Sequence, residues 1–106
     1  MIDSEISQRI SRAVDNLKDE LVQLVSDAVK IPSVNPNYPG EVYQDTLGGE
    51  TKVAEFLKPV MDDLGLKTDI WEQEKGRANL VGVFNGSGGG KSLIFNGHTD
   101  VVPPGP

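Results

Sequence analysis

The chain has 106 residues, of which 37% are hydrophobic, and no cysteine. That length suits one small α/β domain with a modest core, and the missing thiols exclude disulfides and thiolate metal sites. The 16 acidic residues against 10 basic ones leave a net charge of −6, which argues against a nucleic-acid partner because phosphate backbones would be repelled.

No stretch approaches the roughly 18 apolar residues that a membrane span requires. The start, Met1-Ile2-Asp3-Ser4-Glu5, lacks the basic and apolar regions of a secretory signal. A soluble protein with no membrane partner is expected, and a cytoplasmic location is compatible with both observations.

From about Ser4 to Val29 the spacing predicts one long helix. Ile6, Ile10, Ala13, Leu17, Leu21, Leu24 and Ala28 recur at three- and four-residue intervals. Asp3 and Glu5 suit its start and Lys30 its end, and Pro32 forbids continuation. The stripe is expected to pack on a sheet, with partner binding as the alternative.

Residues 31–49 read as a long connection punctuated by Pro32, Pro36, Pro39, Gly40, Gly48 and Gly49. Connections of this length often border functional sites. Tyr38 and Tyr43 stand in it, as pocket lining or as loop anchors.

A second helix is predicted from about Glu50 to Leu64, with Gly65 at the position after its end. Pro59 removes an interior hydrogen bond, so a kink near Glu55 to Lys58, or a helix in two pieces, is expected. Three strands should follow. They are Leu66 to Glu72, which alternates; Asn79 to Phe84; and Ser92 to Asn96, nearly all apolar and therefore expected to be central in the sheet. Asn85-Gly86-Ser87-Gly88-Gly89-Gly90 is read as a hairpin loop between the last two. It is not a phosphate cradle, because no helix follows it.

The chemistry concentrates at Gly97-His98-Thr99-Asp100-Val101-Val102-Pro103. His98 is the chain's only histidine, placed just past the third predicted strand, where open α/β sheets present their ligands. Residues two apart in extended chain point the same way. Asp100 is thus able to hold one imidazole nitrogen while the other binds a metal. The plainer alternative is a turn with a hydrogen-bonded histidine, Asp100 capping it before Pro103.

The wording of this segment resembles the first metal-binding motif of the M20 family of zinc-dependent amidohydrolases and exopeptidases. That family includes acetylornithine deacetylases, succinyl-diaminopimelate desuccinylases, aminoacylases and glutamate carboxypeptidases. Ile31-Pro32-Ser33-Val34-Asn35-Pro36 and Arg77-Ala78-Asn79-Leu80-Val81 resemble the family's opening and second-strand segments, in the expected order. The likeness runs from about residue 10 to the end.

The resemblance implies an α/β fold of the three-layer zinc exopeptidase type. Residues 1–106 would be the N-terminal portion of the catalytic domain, without the dimerisation or lid domain. It implies His98 as a ligand to one of two zinc ions, with cobalt as a substitute, and Asp100 as the catalytic residue that orients it. The implied reaction is hydrolysis of an amide bond in an N-acyl amino acid or short peptide by metal-activated water. The deacylase and desuccinylase branch is preferred, and the parent protein could be a homodimer. The remaining ligands and the general base belong beyond Pro106, and Glu72 and Glu74 do not match their positions. On this reading the 106-residue chain alone is inactive. The competing reading is a non-catalytic α/β module, or inactive remnant, that pairs with a partner through an exposed sheet edge.

Overall fold

The computed structural model describes residues 3–106; Met1 and Ile2 of the acidic start lie outside them. The chain divides into two units, one ending at Lys30 and the other running from Ile31 to Pro106.

In the first unit, α1 spans Ser4–Asn16 and α2 spans Lys18–Val29. Asp3 caps α1, its carboxylate accepting from the Glu5 amide at 2.7 Å. The single long helix expected from the periodicity is interrupted at Leu17. The Leu17 N–H is shared between the Ala13 and Val14 carbonyls, a tightened turn. Asn16 and Asp19 flank this point, and both residue types compete with helical backbone bonding. At the C-terminal end Lys30 pairs with Asp27 at 2.8 Å. The apolar stripe is not buried as expected. No residue of either helix is buried, and Ile10 is 53% exposed. Leu24 and Ala28 of the stripe are partly covered, and its other members are exposed.

In the second unit, α3 is a short turn of helix at Tyr43–Thr46, α4 spans Gly49–Asp63, and β1 (Lys67–Glu72) pairs with β2 (Ala78–Val83). The connection over 31–49 is therefore not wholly irregular. The strands are antiparallel, with Ile70 opposite Leu80 and Glu72 opposite Ala78. α4 continues through Pro59 as one element, against the expected kink or break near Glu55 to Lys58. Pro59 and Glu55 both lie on the exposed side, where water satisfies the carbonyl that the proline cannot serve. Gly65, at φ 85°, ends the helix. Its N–H bonds the Asp62 carbonyl and the Leu66 N–H that of Met61, the paired bonding of a Schellman stop.

The third strand is absent. Ser92–Asn96 has no regular structure, and Leu93, Ile94 and Phe95 are 75%, 85% and 90% exposed. A strand exists only where a neighbour accepts its backbone bonds, and nothing pairs with this run among the described residues. The glycine-rich stretch before it is consequently no hairpin loop. The core is small: Val53 and Ala54 of α4 and Ala78 of β2 are its buried apolar side chains.

Two polar attachments hold α4 to the hairpin. Thr51 accepts from the Ala78 amide at 3.1 Å and donates to Glu72 at 2.8 Å. Lys58 bridges Asp62 at 2.7 Å and Thr68 at 2.9 Å, and Thr68 also donates to Asp62. The result is a mixed α/β unit with the segment that precedes α3 laid against residues 99–101.

Candidate functional site

Pro32 and Pro36 restrict the residues before them, Ile31 and Asn35, to extended backbone, and the segment between the two prolines is non-helical. That segment forms a parallel bridge to the far end of the chain, Val34 against Val101. The Asn35 amide donates to the Val101 carbonyl at 2.9 Å and the Val101 amide to the Ser33 carbonyl at 3.0 Å. Ser33, only 4% exposed, adds its hydroxyl to the Thr99 carbonyl at 2.7 Å. The bridge holds His98 and Asp100 although no strand precedes them.

The two residues singled out by the sequence meet. His98 Nδ1 lies 2.9 Å from Asp100 Oδ1 and 2.9 Å from the Asp100 carbonyl oxygen. Both neighbours are pure acceptors, so Nδ1 carries the proton and donates. In the neutral ring Nε2 then keeps its lone pair. The ring itself is 83% exposed, whereas the Asp100 side chain is 27% exposed. The Asp100 carboxylate thus contacts both the imidazole of His98 and the side-chain amide of Asn35.

Asn35 joins the pair without a motif that marks it in the sequence. Its side-chain amide donates to Asp100 Oδ2 at 2.9 Å. The signal available was an Asn and a Ser in a short extended segment bounded by prolines, which marks a pinned strap without naming its partner. Burial pushes the Asp100 carboxyl upward, but hydrogen bonds from Asn35 and His98 outweigh it and hold the carboxyl below the usual carboxylate range.

A cavity of about 900 Å³ opens beside the pair, walled by Asn96–Asp100, by α4 at Ala54 and Leu57, and by the hairpin at Trp71 and Leu80. Arg77 stands at its edge but is taken: its guanidinium grips Glu50 through Nε at 2.6 Å and Nη2 at 3.0 Å. Hydrogen bonding to that carboxylate pushes the arginine's pKa up.

His98 fits the role of one metal ligand, with an exposed ring, an unprotonated Nε2 and a carboxylate behind Nδ1. A complete ligand set is another matter. Among the described residues no group of three His, Cys, Asp or Glu side chains converges, and a closed zinc site needs four donors. None of the described helices is long and apolar enough to cross a membrane.

No family model and no solved structure matches the chain. Five or more relatives carry recognisable similarity, three of which follow. Succinyl-diaminopimelate desuccinylase of Anaplasma marginale is 32% identical over 88 residues, covering 82% of this chain and 20% of the relative. N-formyl-4-amino-5-aminomethyl-2-methylpyrimidine deformylase of Bacillus subtilis is 30% identical over 95 residues, covering 88% and 20%. Acetylornithine deacetylase of Aliivibrio salmonicida is 42% identical over 55 residues, covering 52% and 14%. The chain thus spans 20% or less of the length of these relatives. Their names and the shared wording support a relationship to the M20-type amidohydrolases, at the level of the family.

Proposed function

We propose that this chain is part of a metal-dependent amidohydrolase that removes an acyl group from an amine. Within it, His98 is a metal ligand and Asp100 the residue that orients it. The observation that carries the reading is the 2.9 Å contact between His98 Nδ1 and Asp100 Oδ1, which leaves Nε2 of the neutral, exposed ring without a proton. The carboxylate raises the electron density of the ring and fixes its plane, so that the free nitrogen is both a better donor and a pre-aimed one.

The relatives are named as a desuccinylase, a deformylase and a deacetylase. Removal of a small acyl group is common to all three names, so the proposed substrate is a small N-acyl amine, of which an N-acyl amino acid is the preferred case. A bound zinc would supply Lewis-acid activation of water against the amide carbonyl. The further ligands and the general base come, on this reading, from polypeptide outside these 106 residues, and this chain alone turns over no N-acyl amino acid. The open cavity beside His98 and Asp100 is then space that the rest of the protein shares.

The test is zinc titration of the chain followed on the imidazole resonances, with X-ray absorption for the metal distance. Zinc shifts Nε2 and gives a nitrogen scatterer at about 2.0–2.1 Å, and His98→Gln removes both signals. Zinc uptake that His98→Gln leaves unchanged defeats the ligand assignment.

A further inference from the structure

A carboxylate beside an imidazole orients it only if the carboxylate is itself held. The bridge at Val101 fixes the backbone next to Asp100, and the carboxylate needs a side-chain partner of its own. The Asn35 side chain has two ends, and both are assigned by their partners. Its Oδ1 accepts from the Asn37 amide at 2.9 Å, which leaves the NH2 end to donate to Asp100 Oδ2 at 2.9 Å. The Asn35 backbone is in turn registered on Val101, the residue after Asp100. One carboxylate oxygen is therefore tied to a fixed donor, and the other is left facing His98 Nδ1.

We propose that Asn35 is a positioning residue for the His98–Asp100 pair: by holding Oδ2 of Asp100 it aims Oδ1 at Nδ1 and, together with the Asp100 carbonyl that accepts from the same nitrogen at 2.9 Å, selects the imidazole tautomer with Nε2 unprotonated. This rests on the functional reading above only for the use made of Nε2; the orientation itself stands on the hydrogen bonds. Ser33 provides a comparison within the same strap. It reaches the Thr99 carbonyl at 2.7 Å but touches no carboxylate. Loss of Ser33 weakens the strap, and loss of Asn35 frees the carboxylate.

The experiment is 15N NMR of the metal-free chain, read on the alkaline plateau of the ring-nitrogen shifts, where the ring is neutral by observation. His98 is the only histidine, so its two ring nitrogens need no assignment against others. The Nδ1–H fraction is compared in the wild type, Asn35→Leu, Asn35→Asp and Ser33→Ala. Asn35→Leu is expected to lower that fraction about twofold or more, toward the Nε2–H form that a free side chain favours. Asn35→Asp, which sets an acceptor against an acceptor, lowers it further. Ser33→Ala lowers the thermal midpoint and leaves the ratio unchanged. Dispersed hairpin amides in each variant establish that the second unit is folded, and the near-isosteric Asn35→Asp decides the matter should Asn35→Leu unfold. A wild-type ratio in the folded asparagine variants, or an equal shift in Ser33→Ala, overturns the proposal. Zinc added to the wild type tests the ligand role separately. A ring that zinc does not perturb defeats the ligand reading, while the tautomer ratios still decide the role of Asn35.

Discussion

Gly49 packs directly on Pro32: a methyl group at Gly49 would lie 2.0 Å from the Pro32 carbonyl oxygen and 2.7 Å from Ser33 Cα. The first residue of α4 thereby supports the strap that bridges to Val101. Gly49→Ala meets backbone on that side, and backbone has no rotamer to escape with. The substitution is expected to cost about 2–3 kcal/mol, read from the urea midpoint. It should also loosen the Asn35 amide in hydrogen exchange. A loss below about 0.5 kcal/mol would mean that α4 and the strap move apart freely.

The Arg77–Glu50 grip closes the same end of α4 against the turn of the hairpin. Both side chains are largely covered, at 21% and 12% exposed. Removing one partner leaves the other charged and half desolvated, so Arg77→Ala and Glu50→Ala should each cost about 2 kcal/mol after allowance for solvent screening. The double variant should cost less than the sum, with a coupling on the order of 1 kcal/mol. Additive losses in the cycle would show that the pair contributes packing alone.

Acid should weaken the second attachment of α4. Hydrogen bonds from Lys58 and then Thr68 hold the Asp62 carboxyl below its usual range. A carboxyl depressed in the folded state stabilises above the unfolded pKa, and that contribution disappears as pH falls through the folded value. The denaturation midpoint should therefore drop between about pH 5 and pH 2. Lys58→Met, which removes the first of these donors, should flatten that drop. An unchanged acid profile in Lys58→Met would assign the loss to other carboxylates.

Phe95 looks like a core residue by type and is 90% exposed. Phe95→Ser should leave stability within about 0.5 kcal/mol of the wild type and reduce self-association at high concentration. A loss in the range of about 3–5 kcal/mol, the range for a buried phenylalanine, would show Ser92–Asn96 packed.

The elements that were readable from the chain are those whose signals are local. The extent of α4, the stop at Gly65 and the alternation of β1 all lie within a few residues of the feature that specifies them. The tightened turn at Leu17 came from the same local chemistry, but the regular stripe across it masked the competing pull of Asn16 and Asp19. Ser92–Asn96 carried strand composition and failed because a strand needs a neighbour to accept its bonds. The meeting of His98 and Asp100 is anticipated by their two-residue spacing. The Asn35 contact is not, because it joins positions 65 residues apart and leaves no periodic trace.

The strap and the bridge at Val101 also set an order of events. Pairing residues so remote in sequence carries a larger loop-closure entropy than closing the hairpin or docking α4. It is expected to assemble after them and to open before them, as the least protected part of its unit. The imidazole's aim is therefore a late product of folding: agitation that leaves the helix and hairpin whole can still blur it, and whatever fastens the ends of this unit together sharpens it.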